Sequence, residues 1–335
     1  MITDDQASPD RIQLGNTVFE GQNNIYILDD DPATIIDTGI ATPAIEQTLF
    51  DALAARGVAA ADVDQIVLTH FHADHAGLAG EIQAESGATV FVHEADAPLV
   101  ARAGSAWEEF ESYRRDLFEQ WEMPERPEDE LTSYFERFPD RTGPAPSVTE
   151  LTDGDEITVG DSDLQTVYLP GHTDGLCGFL LERAGREILF SGDALLPTYT
   201  PNVGGADVRV SDPLETYVDT LVRIVEMDPD IVLPGHREPI EDPAGRAREI
   251  LHHHYDRTRR VVETLRTDGP ADAWTVSEHL FGSLEEIHIL HGPGEAYAHL
   301  THLESYDVVS RTGTAYALVE EDPDLPALFP DVAVP

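Results

Sequence analysis

Residues 65–75 read QIVLTHFHADH, an apolar run followed by three histidines and an aspartate within six positions. Imidazole nitrogen and carboxylate oxygen are the ligand atoms that suit zinc, iron and manganese. In an extended segment His70 and His72 point to the same side, because side chains alternate along a strand. If the chain then turns into a helix, Asp74 and His75 point inward from its first turn. With only 14 histidines in 335 residues, this clustering favours a two-metal site over a chance group on a solvated loop.

Three later motifs offer further ligands, each just past an apolar, strand-like run. They are Pro170-Gly171-His172-Thr173, Ser191-Gly192-Asp193 and Pro234-Gly235-His236. The glycine beside each ligand permits a tight turn and a close approach of the backbone. Each motif is weak alone, since a histidine after Pro-Gly is more often a turn residue. Together with the first cluster they make a set of seven candidate ligands.

Taken in this order, the motifs resemble those of the metallo-β-lactamase-fold hydrolases, and most closely the glyoxalase II-like and β-lactamase-like protein 2 branches. The resemblance implies an α/β fold built as a four-layer αββα sandwich. It also implies that one metal binds to His70, His72 and His172, that a second binds to Asp74, His75 and His236, and that Asp193 bridges them. Residues 35–39 look like the early strand motif of the superfamily, in which the aspartate, here Asp37, supports the metal loop.

Such a site predicts a hydrolase. A bound divalent metal lowers the pKa of its water from about 15.7 to around 7, so that hydroxide is available near neutral pH. Asp74 can also orient this water and pass a proton to the leaving group. We expect two divalent ions, zinc in preference to iron or manganese, and a small thioester or ester substrate as in glyoxalase II.

Two other functions remain open on the sequence alone. The β-lactamase-like protein 2 branch includes endoribonucleases, and the persulfide dioxygenases of this fold use the three-ligand site with one iron. The excess of acidic residues argues against nucleic acid, because phosphate binding depends on clustered lysine and arginine. We therefore expect a small-molecule substrate.

The composition predicts a saline environment. The net charge is −45, with 65 acidic residues against 20 basic ones, and all 20 are arginine. This charge repels itself in dilute buffer but is tolerated at about 1 M salt, where the Debye length is roughly 3 Å. The hydrophobic content of 41% argues against a disordered acidic chain. We expect an intracellular enzyme of a halophile.

The first residues and the single cysteine also favour a cytoplasmic protein. Met1 to Asp5 show neither a basic start nor an apolar run, as a signal peptide would. Nowhere does the chain approach the roughly 20 apolar residues that span a bilayer. Cys177 excludes an internal disulfide, and its apolar neighbours predict a small buried side chain.

The chain divides into a predicted catalytic domain, 1–240, and a C-terminal domain, 241–335. Helices and a short β-hairpin make the latter resemble the winged-helix-like domain of the β-lactamase-like protein 2 branch, a packing or homodimer element. Residues 94–140 are predicted to be a helical insertion, broken at Pro124 and Pro127, that can act as a lid over the site. In the loop after Asp193, Tyr199 and Asn202 are candidate substrate contacts.

Overall fold

The computed structural model describes residues 9–15, 21–136 and 142–331. The predicted absence of a signal peptide concerns residues outside these ranges, as do positions 137–140 of the predicted insertion. Within the described ranges, no helix combines the length and the apolar character needed to cross a membrane.

Six strands form the first sheet, in the same order as in the chain. They are β1 (Asp10–Leu14), β2 (Asn23–Leu28), β3 (Thr34–Ile36), β4 (Gln65–Val67), β5 (Thr89–His93) and β6 (Val148–Leu151). The first three strands pair antiparallel, and β3 to β6 are parallel. Every residue of β2 and β3 is buried, and the apolar runs at residues 25–28 and 35–36 are typical of strands covered on both faces.

Five strands form the second sheet, in the order β11-β10-β9-β8-β7. They are β7 (Glu156–Val159), β8 (Ser162–Tyr168), β9 (Cys177–Arg183), β10 (Arg186–Gly192) and β11 (Ile231–Pro234). Strand β9 is antiparallel to both β8 and β10, and β10 is parallel to β11. Strands β8, β10 and β11 therefore run in one direction and end at the same edge of the sheet.

The two sheets pack against each other. Tyr26, Ile36 and Val67 of the first sheet share one buried cluster with Phe179 and Phe190 of the second. The rings of Tyr26 and Phe190 meet edge to face, with centroids 5.2 Å apart, a favoured geometry for aromatic pairs. Cys177 lies in the same cluster and is fully buried, as its apolar neighbours predict.

Ten α-helices are present in the described residues. They are α1 (Pro43–Ala54), α2 (Ala73–Ala76), α3 (Ala79–Ser86), α4 (Ala97–Val100), α5 (Ala106–Gln120), α6 (Glu125–Glu136), α7 (Pro213–Met227), α8 (Pro243–Asp268), α9 (Ala273–Phe281) and α10 (His288–Ser305). A small third sheet pairs β12 (Val309–Thr312) with β13 (Ala315–Leu318). The mixed α/β fold is confirmed, whereas the four-layer order, the winged-helix character and the domain boundary stay predictions.

The predicted break within the insertion is right at one proline and wrong at the other. Helix α5 ends at Gln120 and α6 begins at Glu125, so the chain breaks at Pro124. Pro127 instead lies in the first turn of α6. Proline is tolerated there because the backbone N–H groups of a first turn have no helical acceptor.

Candidate metal centre

Four loops at strand ends bring together all seven residues that the sequence predicts as ligands. Two follow β4, two lie in α2, and the others follow β8, β10 and β11: His70, His72, Asp74, His75, His172, Asp193 and His236. All are buried except His72, which is half-buried. Their ligand atoms form three overlapping groups, each within 4.8 Å: His70, His72 and His172; His70, His75 and Asp193; Asp74, His75 and His236.

The first group presents three ring nitrogens to one another. Nδ1 of His72 lies 3.0 Å from Nε2 of His70 and 3.1 Å from Nε2 of His172. The other nitrogen of His72 donates to the carbonyl of Ala206 at 3.1 Å, and that of His172 to the carbonyl of Asn202 at 3.0 Å. Because a carbonyl only accepts, the facing nitrogens of these two rings carry lone pairs, as a metal requires.

The group of Asp74, His75 and His236, called the second group from here on, also has ring nitrogens that bond outward to the protein. His75 donates through Nδ1 to Asp37 at 2.8 Å, and His236 donates through Nδ1 to the carbonyl of Gly21 at 3.0 Å. The Nε2 atoms of these rings lie 4.0 and 3.6 Å from Oδ2 of Asp74. Asn23 donates to the same oxygen at 3.1 Å.

Asp193 lies between the two groups. Its Oδ2 is 3.3 Å from Nε2 of His236 and 3.7 Å from Nε2 of His172, and its Oδ1 is 3.6 Å from Nε2 of His75. Oδ1 of Asp193 and Nε2 of His75 are buried without a hydrogen-bond partner among the described residues. Buried polar atoms are rarely left unpaired, because the cost is large. The donor set is therefore suitable for divalent metal ions.

Asp37 contacts two of the histidines directly or through Thr69, in the supporting position that the family resemblance implies. It accepts from the backbone N–H of Thr69 at 2.8 Å and from the hydroxyl of Thr69 at 2.9 Å. That hydroxyl in turn accepts from Nδ1 of His70 at 3.0 Å. Asp37 thus acts directly on His75 and, through Thr69, on His70.

The electrostatics suit cation binding. Burial, together with neighbouring histidines, lowers the pKa of His70 well below its usual value and that of His72 to about 4. Although burial alone would raise it, His236 and His75 hold the pKa of Asp193 well below its usual value. Burial would lower the pKa of His75, but Asp193, Asp37 and Asp74 raise it to about 10. Three carboxylates thus favour a positive charge at His75, from either a proton or a metal.

A buried ionic cluster, which no sequence motif indicates, joins two of the ligand-bearing loops. Asp96 accepts from the backbone N–H of Phe71 at 3.0 Å and from the hydroxyl of Thr173 at 3.3 Å. Arg209 joins Asp96 to Asp207. No local pattern marks these residues, since Asp96 and Arg209 lie 113 positions apart.

A cavity of about 780 Å³ opens beside the groups of candidate ligands. The predicted insertion supplies one wall, where Phe71 packs edge to face against Trp107 and Phe110 with centroids 5.8–5.9 Å apart. The start of α10 supplies another, with Leu290 and His291, two residues that the sequence motifs do not indicate. Residues 94–136 therefore border the site, and their movement as a lid stays a prediction.

The two candidate substrate residues differ in position. Asn202 lines the cavity, but its side chain is bonded to protein groups: its amide donates to the His291 carbonyl and to Glu295, both at 3.1 Å. Tyr199 is 49% exposed, lies against the guanidinium of Arg237 at 4.6 Å, and does not line the cavity among the described residues.

Comparison with known proteins relates this chain to one family. The profile of the Metallo-beta-lactamase superfamily matches residues 18–236. The probable metallo-hydrolase YqjP of Bacillus subtilis is 29% identical over 322 residues, covering 92% of this chain and 95% of that protein. The acyl-coenzyme A thioesterase MBLAC2 of Bos taurus is 30% identical over 250 residues, covering 67% of this chain and 79% of that protein.

A solved structure covers nearly the whole chain. It is the metallo-beta-lactamase family protein TTHA1429 from Thermus thermophilus, with a TM-score of 0.80 and 31% identity. The match covers 92% of this chain and 98% of that one. The likeness therefore extends beyond residue 236, into the C-terminal helices.

Proposed function

This chain belongs to the metallo-beta-lactamase superfamily and is a metallo-hydrolase, and from that premise we propose that it hydrolyses a thioester or ester with two metal ions. The observation that carries the proposal is the position of Asp193, within 3.3–3.7 Å of histidine nitrogens from both groups. A carboxylate placed in this way can bind two cations at once. Zinc is the preferred ion, because imidazole and carboxylate ligands suit it.

We assign the residues to two ions by their groups. His70, His72 and His172 would hold one ion, Asp74, His75 and His236 the other, with Asp193 shared. When bound, such a pair supplies water of lowered pKa and polarises the substrate carbonyl. The chain contributes fixed ring orientations, through hydrogen bonds from the outer nitrogens, and a buried setting in which charge interactions are strong.

Asp74 is our candidate for the proton transfer. Its carboxylate lines the cavity, and although burial would raise its pKa, His75 and His236 lower it. The group is therefore ionised near neutral pH and can accept a proton from the attacking water. It can then deliver that proton to the sulfur or oxygen that leaves as the C–S or C–O bond breaks.

The cavity supports an acyl substrate. Phe71, Trp107 and Phe110 give it an aromatic wall beside the metal groups, and such a wall suits a hydrocarbon chain. The related bovine protein is named an acyl-coenzyme A thioesterase. Hydroxyacyl-thiol cleavage, as in glyoxalase II, is the nearest chemical model.

A substrate screen in molar KCl tests the proposal. Chain stripped by a chelator and reloaded with zinc, manganese or iron(II) would be offered acyl and hydroxyacyl thioesters, a lactone, a β-lactam, a phosphodiester and single-stranded RNA. Glutathione persulfide with an oxygen electrode completes the set. We expect about two zinc ions per chain and the fastest turnover on a thioester. Preferred cleavage of RNA, or oxygen uptake with a single iron, would overturn it.

A further inference from the structure

We propose that the C-terminal segment positions two histidines of the metal centre, through the loop of residues 202–206 that helix α10 holds in place. This inference rests on the proposed two-metal site. It concerns residues beyond 236, where the superfamily profile ends.

The loop carries both carbonyl groups that orient the first group of histidines. The carbonyl of Asn202 accepts from Nδ1 of His172, and that of Ala206 accepts from Nε2 of His72. A shift of this loop would leave both rings without their outer acceptor. Each ring could then carry its proton on the nitrogen that faces the centre, where it would block a metal.

Glu295 in α10 holds the start of the loop. It is 4% exposed, and its Oε2 accepts from the side-chain amide of Asn202 at 3.1 Å and from the backbone N–H of Val203 at 3.3 Å. Its Oε1 is paired with Arg257 in α8. Two C-terminal helices therefore contribute to one buried, charged anchor.

The loop and α10 also meet backbone to backbone. A methyl group added at Gly294 would lie 2.4 Å from the Cα and nitrogen of Gly205, and one added at Gly204 would lie 2.5 Å from the carbonyl oxygen of Gly294. Contacts this short leave no room for a side chain at any of these positions. The loop can approach α10 only because glycines line both surfaces.

Glu295 also belongs to a buried group of metal-binding donor types, with His254 and His299. Arg257 already supplies the positive charge at Glu295, and the hydroxyl of Thr258 lies 2.8 Å from Nδ1 of His299. These contacts explain the group as a support for α10 and the loop, without a third ion.

The outer bonds of the second group do not involve this loop. His75 is held by Asp37 and His236 by the carbonyl of Gly21. Damage to the anchor should therefore weaken one metal position more than the other. A general loss of stability would not produce this asymmetry.

The test is zinc titration of Glu295→Gln against a chromophoric chelator, with thermal unfolding measured in parallel. We expect one of the two ions to bind 10–100-fold more weakly, as is typical when the partner of a ligand is removed, and the other to be unchanged. Glu304→Gln is the matched control, because Glu304 lies on the same helix and pairs with Arg311 at 3.5 Å. It should bind both ions as the wild type does.

A double variant provides a further test. In His172→Ala, where the proposed first position is already damaged, Glu295→Gln should add no further loss, since both changes act on one ligand set. If Glu295→Gln does not fold, Asn202→Ala removes the same link from the loop side. Unchanged affinity at both positions, or equal weakening of both, would overturn the inference and leave the proposed function standing. A wild-type chain that binds no ion would overturn both.

Discussion

Each histidine of the metal centre uses one ring nitrogen to contact the protein and leaves the other facing inward. The outer partners are the carbonyls of Gly21, Asn202 and Ala206, the carboxylate of Asp37 and the hydroxyl of Thr69. These partners set the direction of each ring before any ion arrives, and the carbonyls of Asn202 and Ala206 also select the tautomers of His172 and His72. Preorganisation of this kind lowers the cost of assembling a site.

Asp193→Ala removes a carboxylate that lies within 3.3–3.7 Å of histidine nitrogens in both the first and the second group. We expect the metal content to fall below two ions per chain and turnover to fall by at least about 100-fold, because charge stabilisation in the site is lost. Metal analysis and steady-state kinetics measure the two effects. Asp161→Ala, at an exposed position, is the control. Full activity in Asp193→Ala would refute the shared-ligand role.

Gly235→Ala tests how tightly the centre is packed. An added methyl would lie 2.5 Å from Oδ1 of Asp193 and 2.7 Å from Cε1 of His75. Both groups would have to move, so we expect weaker metal binding at the His75 position in zinc titrations. Gly15→Ala meets nothing within 4 Å and should bind zinc normally. Equal zinc affinities in the two variants would show that Asp193 and His75 can move aside without loss of binding.

At the level of elements, the direction of the strands determines where the candidate ligands lie. Strands β8, β10 and β11 end at one edge of the second sheet, where His172, Asp193 and His236 follow them. An isolated bridge between Asn23 and His236 joins this edge to the first sheet. The segment after β4, which carries His70 to His75, therefore lies beside the three loops that carry His172, Asp193 and His236.

Helix α5 should determine which acyl groups are accepted. Trp107 lines the cavity and is 36% exposed, so Trp107→Ala would remove apolar contact with a long chain. Since burial of a large side chain contributes about 1.5–3 kcal/mol, we expect kcat/KM for a long-chain thioester to fall roughly tenfold or more. The value for an acetyl thioester should change little.

Tyr113→Ala is the matched control for this wall. Tyr113 is an exposed aromatic residue of the same helix and does not line the cavity among the described residues. Its removal should leave both substrates unaffected. Equal losses for long and short chains in Trp107→Ala would show that the wall does not select the acyl group.

For the whole molecule, the net charge of −45 dominates. Repulsion among surface carboxylates should destabilise the fold in dilute buffer and diminish as the Debye length falls from about 10 Å at 0.1 M to about 3 Å at 1 M salt. We expect the unfolding temperature to rise between 0.1 and 2 M KCl. NaCl should act similarly, because screening depends on ionic strength. A flat or falling curve would remove the prediction of a halophilic protein.

Two of the helices that follow residue 240 pack closely against helix α7. Helix α8 packs against α7, and α10 contacts both. One apolar cluster includes Leu221 of α7 together with Leu251 of α8 and Leu300 of α10. The homodimer role of this segment stays a prediction.

The candidate ligands and the mixed α/β class could be predicted from the sequence by itself, because local motifs and apolar strand patterns indicate both. Three histidines and an aspartate lie within six positions, and each remaining ligand follows an apolar strand beside a glycine. Only the tertiary structure revealed what surrounds them. Asn202 meets Glu295 across 93 positions and Asp96 meets Arg209 across 113. Such pairs leave no periodic trace, because an ordinary charged residue becomes a buried anchor only when distant segments pack around it.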